Sequence, residues 1–279
     1  RVTGVSSAQE ALELLETTTF DLVILMVGLD RDAPIELSKQ IKTKNQSLPI
    51  NLLLNNKIDI KYYEELVPSL PSIDKVFIWN GDSLILFSIV KSIEDKINVE
   101  NDTKIGLVRV ILLIEDSPIY YSKYLEILYS IVFGQVQQFL PDVERNELDK
   151  ICKMRSRPKI LLARNYDEAI IIFNKYKDFL LCVISDVEYE RSGKMDKKAG
   201  IKFIEYVKSH IFDLPVILQS AEEKNEKYAK KLNVSFINKN SDTLHADIKK
   251  YLTSYLGFGN FSFRDKSRKV FVTSILLSS

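Results

Sequence analysis

The sequence predicts an α/β protein built on two doubly wound parallel sheets, and three observations carry that prediction. Residues 179–185 form a near-continuous apolar run that stops on Asp186, the pattern of a strand covered on both faces by helices. Three further runs of strand length, residues 108–114, 215–220 and 234–239, alternate with helical periodicity, as parallel strands joined by crossover helices do. Residues 1–100 repeat the alternation in weaker form, with apolar runs at 20–28, 49–54 and 77–80.

In chain order, residues 2–5 (Val2-Thr3-Gly4-Val5) are expected to be a short strand. Ser7 and Glu10 have the spacing of a capping box that opens an amphipathic helix. Helical periodicity returns over residues 83–94, and the polar run 98–104 is expected to connect two domains. The helix that starts at Pro118 carries Tyr120, Tyr121, Tyr124, Leu125, Leu128 and Ile131 on one face, a stripe expected to pack rather than to bind. Residues 143–151 suggest an added charged helix. The basic residues after it, Lys153, Arg155, Arg157 and Lys159, suggest a solvated face or a surface for an acidic partner. Helices are expected over 167–177, 200–210 and 242–256, with a long basic loop over 188–200. Gly193-Lys194 lacks the glycine-rich frame of a phosphate loop. The domains implied are residues 1–100, 105–256 and a tail or linker, 257–279.

Composition excludes several classes. With 39 basic and 38 acidic residues in a chain of 279, no basic footprint for nucleic acid exists, and no apolar run has the length of a membrane span. Cys152 and Cys182 are the two cysteines. Cys182 lies within a buried strand and is expected to act as a small hydrophobe in a reducing, cytoplasmic compartment. No signal peptide is visible, and the start at Arg1 without methionine suggests a fragment. His210 and His245, the two histidines, are expected at the surface, and no Ser-His-Asp set or zinc spacing can be assembled.

The strand ends carry the chemistry. The run 108–114 ends on Glu115 and Asp116, the run 179–185 on Asp186, the run 215–219 on Ser220, and the run 234–238 on Lys239. In open α/β sheets ligands bind beyond the C-terminal strand ends, so these side chains converge on one edge. Close carboxylates repel by about 4 kcal/mol per pair at an effective dielectric of ~20 until a hard divalent cation binds. Mg²⁺ beside an in-line carboxylate and a lysine makes a phosphoryl-acceptor site.

In this pattern residues 108–256 resemble a receiver domain of two-component signalling, with the flavodoxin-like strand order 2-1-3-4-5. The resemblance implies that Glu115, Asp116, Asp186 and the backbone carbonyl of Glu188 hold Mg²⁺, and that Asp186 takes the phosphoryl group. It further implies that Ser220 and Lys239 stabilise that group, and that Ser220 and Phe236 form the switch. A histidine kinase or phosphotransfer protein would be the donor. The sequence departs from the family in Tyr189-Glu190, where a Met-Pro turn is usual, and in Asn240, which follows Lys239 where proline is common.

The first half resembles a receiver that has lost its chemistry. Met26 takes the acceptor position, Leu54 the hydroxyl position and Asn80 the lysine position. Strand 1 of that domain is missing, so the strand expected at residues 2–5 would pair with the wrong neighbour or with none. Residues 257–265, with 157–163 and 218–221, are similar to the amino-terminal region of bacterial proteins in which paired receiver-like domains precede a phosphoenolpyruvate synthase or pyruvate phosphate dikinase-like portion. The resemblance implies further enzymatic domains in a longer protein and assigns no enzymatic activity to these residues. A phosphorylation-independent interaction module is the competing expectation.

Overall fold

A computed structural model describes residues 2–55, 57–66, 70–138, 157–255, 262–264 and 270–273. The chain forms two compact units, Arg1–Val90 and Lys91–Ser279.

The first unit contains α1 (Ala8–Thr17), β1 (Val23–Met26), α2 (Ala33–Lys44), β2 (Ile50–Leu54), α3 (Lys57–Leu66) and β3 (Lys75–Ile78). Its sheet has three parallel strands in the order β1-β2-β3. Ile50, Leu52 and Leu54 alternate onto one face, where they pack with Ile41, Ile60 and Tyr63. Residues 2–5 form no strand and are exposed, which corrects the expectation of a strand there. A short segment interrupted by Gly4 gains little without a neighbouring strand to bond. Ser7 caps α1 by accepting the Glu10 N–H, while the Glu10 carboxylate accepts from Ser6 N–H, one residue before the cap.

Residues 98–104 are not a connection. They lie within α4 (Leu84–Gly106), because the run is polar yet free of Pro and Gly until Gly106 ends the helix. Leu107 then takes φ 50°.

The second unit contains β4 (Val110–Ile114), α5 (Pro118–Gln138), β5 (Lys159–Ala163), α6 (Tyr166–Tyr176), β6 (Leu180–Asp186), β7 (Tyr189–Arg191), β8 (Lys194–Asp196), α7 (Ala199–His210), β9 (Val216–Ser220), α8 (Glu226–Leu232), β10 (Ser235–Asn238) and α9 (Leu244–Lys250). Five parallel strands are ordered β10-β9-β6-β4-β5, which is 2-1-3-4-5 when β4 is counted as the first. Val110, Leu112 and Ile114 pack with Phe173 of α6 and Phe203 of α7, so pleating turns Ile111 and Leu113 to the opposite face. On the helical layers, α5 touches α9, whereas α6 touches α7 and α7 touches α8. Tyr121, Tyr124, Leu125, Leu128 and Ile131 are buried, as expected of a packing stripe.

Two expectations change here. Residues 189–196 form an antiparallel hairpin, β7 with β8, closed by Ser192 and Gly193 at φ 54° and 77°, the two-residue turn that requires successive positive φ values. Arg157 and Lys159 are not a solvated face, for both are buried. Arg157 donates to both oxygens of Asp95 at 2.6 and 2.9 Å, and Lys159 lies 2.7 Å from Asp102. Tyr129 Oη and the Ile160 N–H also donate to Asp95. The charged helix expected at 143–151, together with Lys153 and Arg155, lies outside the described residues. Of the tail, the structure describes β11 (Ser262–Arg264) paired antiparallel with β12 (Val270–Thr273). No helix among the described residues is long and apolar enough to cross a membrane.

Candidate functional site

The C-terminal ends of β4, β6, β9 and β10 lie side by side because the strands are parallel and in register. Asp186 is the last residue of β6, and Glu115 and Asp116 follow β4 directly. One carboxylate oxygen from each lies within 4.8 Å of the other two, a group that could hold a metal ion. Hard, anionic oxygen donors of this kind suit Mg²⁺, Ca²⁺ or Mn²⁺ rather than a soft metal.

Lys239 sits among them. Its Nζ is 2.6 Å from Asp186 Oδ2 and 2.6 Å from Glu115 Oε2. The Val187 N–H donates to Asp186 Oδ1 at 2.7 Å, and the Ser117 N–H to Glu115 Oε1 at 3.2 Å. The Lys239 N–H donates to the Ser220 carbonyl, which fixes the lysine beside the end of β9. Ser220 Oγ accepts from the Glu222 N–H and from Asn225 Nδ2. Its lone pairs are thus occupied, and the hydroxyl hydrogen is the group left to donate.

The electrostatics follow from crowding acids in a dry place. Burial pushes Glu115 up to about 8, with Lys239 opposing and Asp186 adding to the rise. Burial likewise pushes Asp116 up to about 6, and the charge of Asp186 reinforces it. Asp186 itself is held above the usual carboxylate range by burial, against the pull of Lys239. For Lys239 burial works against the charge, but Glu115 and Asp186 outweigh it and raise the ammonium further. Lys239 thus bonds two of the three acids, and the site favours added positive charge.

Four further residues adjoin the cluster. Gln219, fully buried and paired in register with Asp186, donates from Nε2 to Glu115 Oε2 at 3.0 Å. The only sign of it in the sequence is a polar residue inside an apolar strand. Tyr120 lays its ring 4.4 Å from Lys239 Nζ and donates from its hydroxyl to Asn240 Oδ1. Among the described residues the buried Tyr124 Oη and Gln219 Oε1 meet no hydrogen-bond partner, which leaves a donor and an acceptor near the cluster. Gly200, at the start of α7, brings helix and strand into contact. A Cβ there would lie 1.9 Å from the Asp186 carbonyl oxygen, so glycine alone fits.

The other predicted residues fall as follows. Glu188 is exposed just past the end of β6, and Phe236 is partly buried against the core. Met26, Leu54 and Asn80 belong to the first unit, where Met26 is exposed at the end of β1, Leu54 is buried and Asn80 is exposed. Cys182 is a free, buried thiol that burial pushes up to about 12.

The fold and site define an α/β protein with parallel sheets and a carboxylate cluster able to take a cation. No family model matches the chain, and no curated protein or solved structure matches it.

Proposed function

We propose that the second unit is a response-regulator receiver that accepts a phosphoryl group on Asp186 with the help of Mg²⁺, and that the first unit is a receiver-like scaffold without that chemistry. The observation that carries this reading is Lys239, bonded at once to Asp186 and Glu115 beside a cluster of three acids. Glu115, Asp116, Asp186 and the Glu188 carbonyl would hold the ion, whose charge would draw in phosphoryl oxygens and offset the acids.

An Asp186 oxygen forms the new bond to phosphorus as the bond to the donor's leaving group breaks and its electrons depart with that group. Lys239 keeps its proton and pairs with the transferred phosphoryl oxygens. The Ser220 hydroxyl donates to the same group, and Phe236 follows it, changing the surface around β10 and α9. The donor class is a histidine kinase or phosphotransfer protein, and a cytoplasmic setting suits the free thiol of Cys182. In the first unit Met26, Leu54 and Asn80 offer neither nucleophile nor ammonium, which favours binding as its role. A longer protein with a phosphoenolpyruvate synthase-like portion would give the pair a regulatory setting.

The test is incubation with acetyl phosphate, with and without Mg²⁺, followed by intact-mass measurement. Wild type should gain one phosphoryl mass only with Mg²⁺, and Asp186→Asn none. An unlabelled wild type, under conditions that label an ordinary receiver, overturns the reading.

A further inference from the structure

Lys239 is held by two carboxylates and also faces an aromatic ring. Nζ is 2.6 Å from both Asp186 and Glu115, and the Tyr120 ring centroid lies 4.4 Å from it. The ring is itself tethered, because its hydroxyl donates to Asn240 Oδ1 at 2.9 Å. Asn240 follows Lys239 in sequence, and its N–H is accepted by Asn238 Oδ1. Tyr120, Lys239 and Asn240 therefore close a small loop of contacts between the first turn of α5 and the end of β10.

A lysine side chain has four rotatable bonds and strong hydration, so an ammonium this enclosed needs something to keep it from turning out to solvent. An aromatic face attracts a cation and excludes water from it. From this geometry we infer that Tyr120 is a positioning residue that holds the Lys239 ammonium over Asp186. The inference rests on the proposed role of Asp186 for its consequence but not for its geometry. When the Asp186 oxygen bonds to phosphorus and the leaving group departs, Lys239 must already be aimed at the phosphoryl oxygens. The ring supplies that aim without adding a charge that would compete for the phosphoryl group.

The experiment uses the full chain and the variants Tyr120→Phe, Tyr120→Leu and Tyr120→Ala, with folding checked by circular dichroism. One readout is acetylation of Lys239 by sulfo-N-hydroxysuccinimidyl acetate, followed by peptide mass spectrometry, with the exposed Lys202 as internal reference. The other is the rate of phosphoryl gain from acetyl phosphate and Mg²⁺. Tyr120→Ala and Tyr120→Leu should acetylate Lys239 roughly threefold to tenfold faster and accept phosphoryl slower by a similar factor. Tyr120→Phe keeps the ring and should stay close to wild type in both. Equal Lys239 acetylation in wild type and folded Tyr120→Ala overturns the inference, as does failure of Phe to rescue what Leu loses. A wild type that takes no phosphoryl overturns the role of Asp186 instead, and the acetylation readout still decides the role of Tyr120.

Discussion

Asp116→Asn should make the metal-free second unit more stable while removing its response to Mg²⁺. The cluster brings carboxylate oxygens within 4.8 Å of one another, where a pair of unit charges repels by about 3.5 kcal/mol at an effective dielectric of ~20. Asp116 is pushed up to about 6 from 3.8, and a rise of that size corresponds to about 3 kcal/mol. Partial exposure of Asp116 trims the expected gain to about 2 kcal/mol. The folded state holds this proton more tightly than the unfolded chain, so the penalty grows as pH rises from 3.8 towards 6 and is complete above it. The gain should therefore be full at pH 8 and about half as large at pH 5. The single tryptophan, Trp79, lies in the first unit, so hydrogen exchange of peptides covering β4 and β6 is the assay that isolates the second. Greater protection of Asp116→Asn without metal, and none added by Mg²⁺, is the expected result. Lower metal-free protection, or an undiminished Mg²⁺ effect, refutes the reasoning.

Other perturbations should act as follows. Because protons on Glu115 and Asp116 compete with a cation up to about 8 and about 6, apparent Mg²⁺ affinity should rise between pH 6 and pH 8.5 by up to roughly tenfold per unit; a flat profile by thermal shift would count against the cluster as the site. Asp95→Ala leaves Arg157 buried without its carboxylate and should destabilise the second unit by about 3–5 kcal/mol, read by urea unfolding; a loss under 1 kcal/mol would contradict it. Gly200→Ala drives a methyl into the Asp186 carbonyl, so a loss of about 1–3 kcal/mol should accompany slower phosphoryl gain from acetyl phosphate. An unchanged rate would mean that α7 yields without moving Asp186.

The strands of the second unit are legible because a parallel strand buried on both faces is one nearly continuous apolar run that closes on polar residues at the sheet edge. Glu115, Asp116, Asp186 and Lys239 were visible for that reason, and the structure brings them together. The burial of Arg157 and Lys159 is not legible in the sequence because their acids, Asp95 and Asp102, lie far back in the chain on α4. Local charge counts cannot see a partner 62 residues away. The hairpin at 189–196 looked like a long basic loop, since its strands are short and mostly polar and the turn is only Ser192-Gly193. Gln219 and Tyr120 were hidden for another reason. Tyr120 sits in a stripe that packing explains, Gln219 shows only as a polar residue within an apolar strand, and the third dimension alone shows what each polar end meets.

Asp95 and Asp102 sit on the last turns of a helix whose first turns belong to the other unit. Anyone excising the second unit at residue 105 would discard both anions and strand two cations in the interior. The fragment would then fail to fold for reasons unrelated to its chemistry. A cut before Lys91 keeps the anions with their partners, and there the gene can be divided.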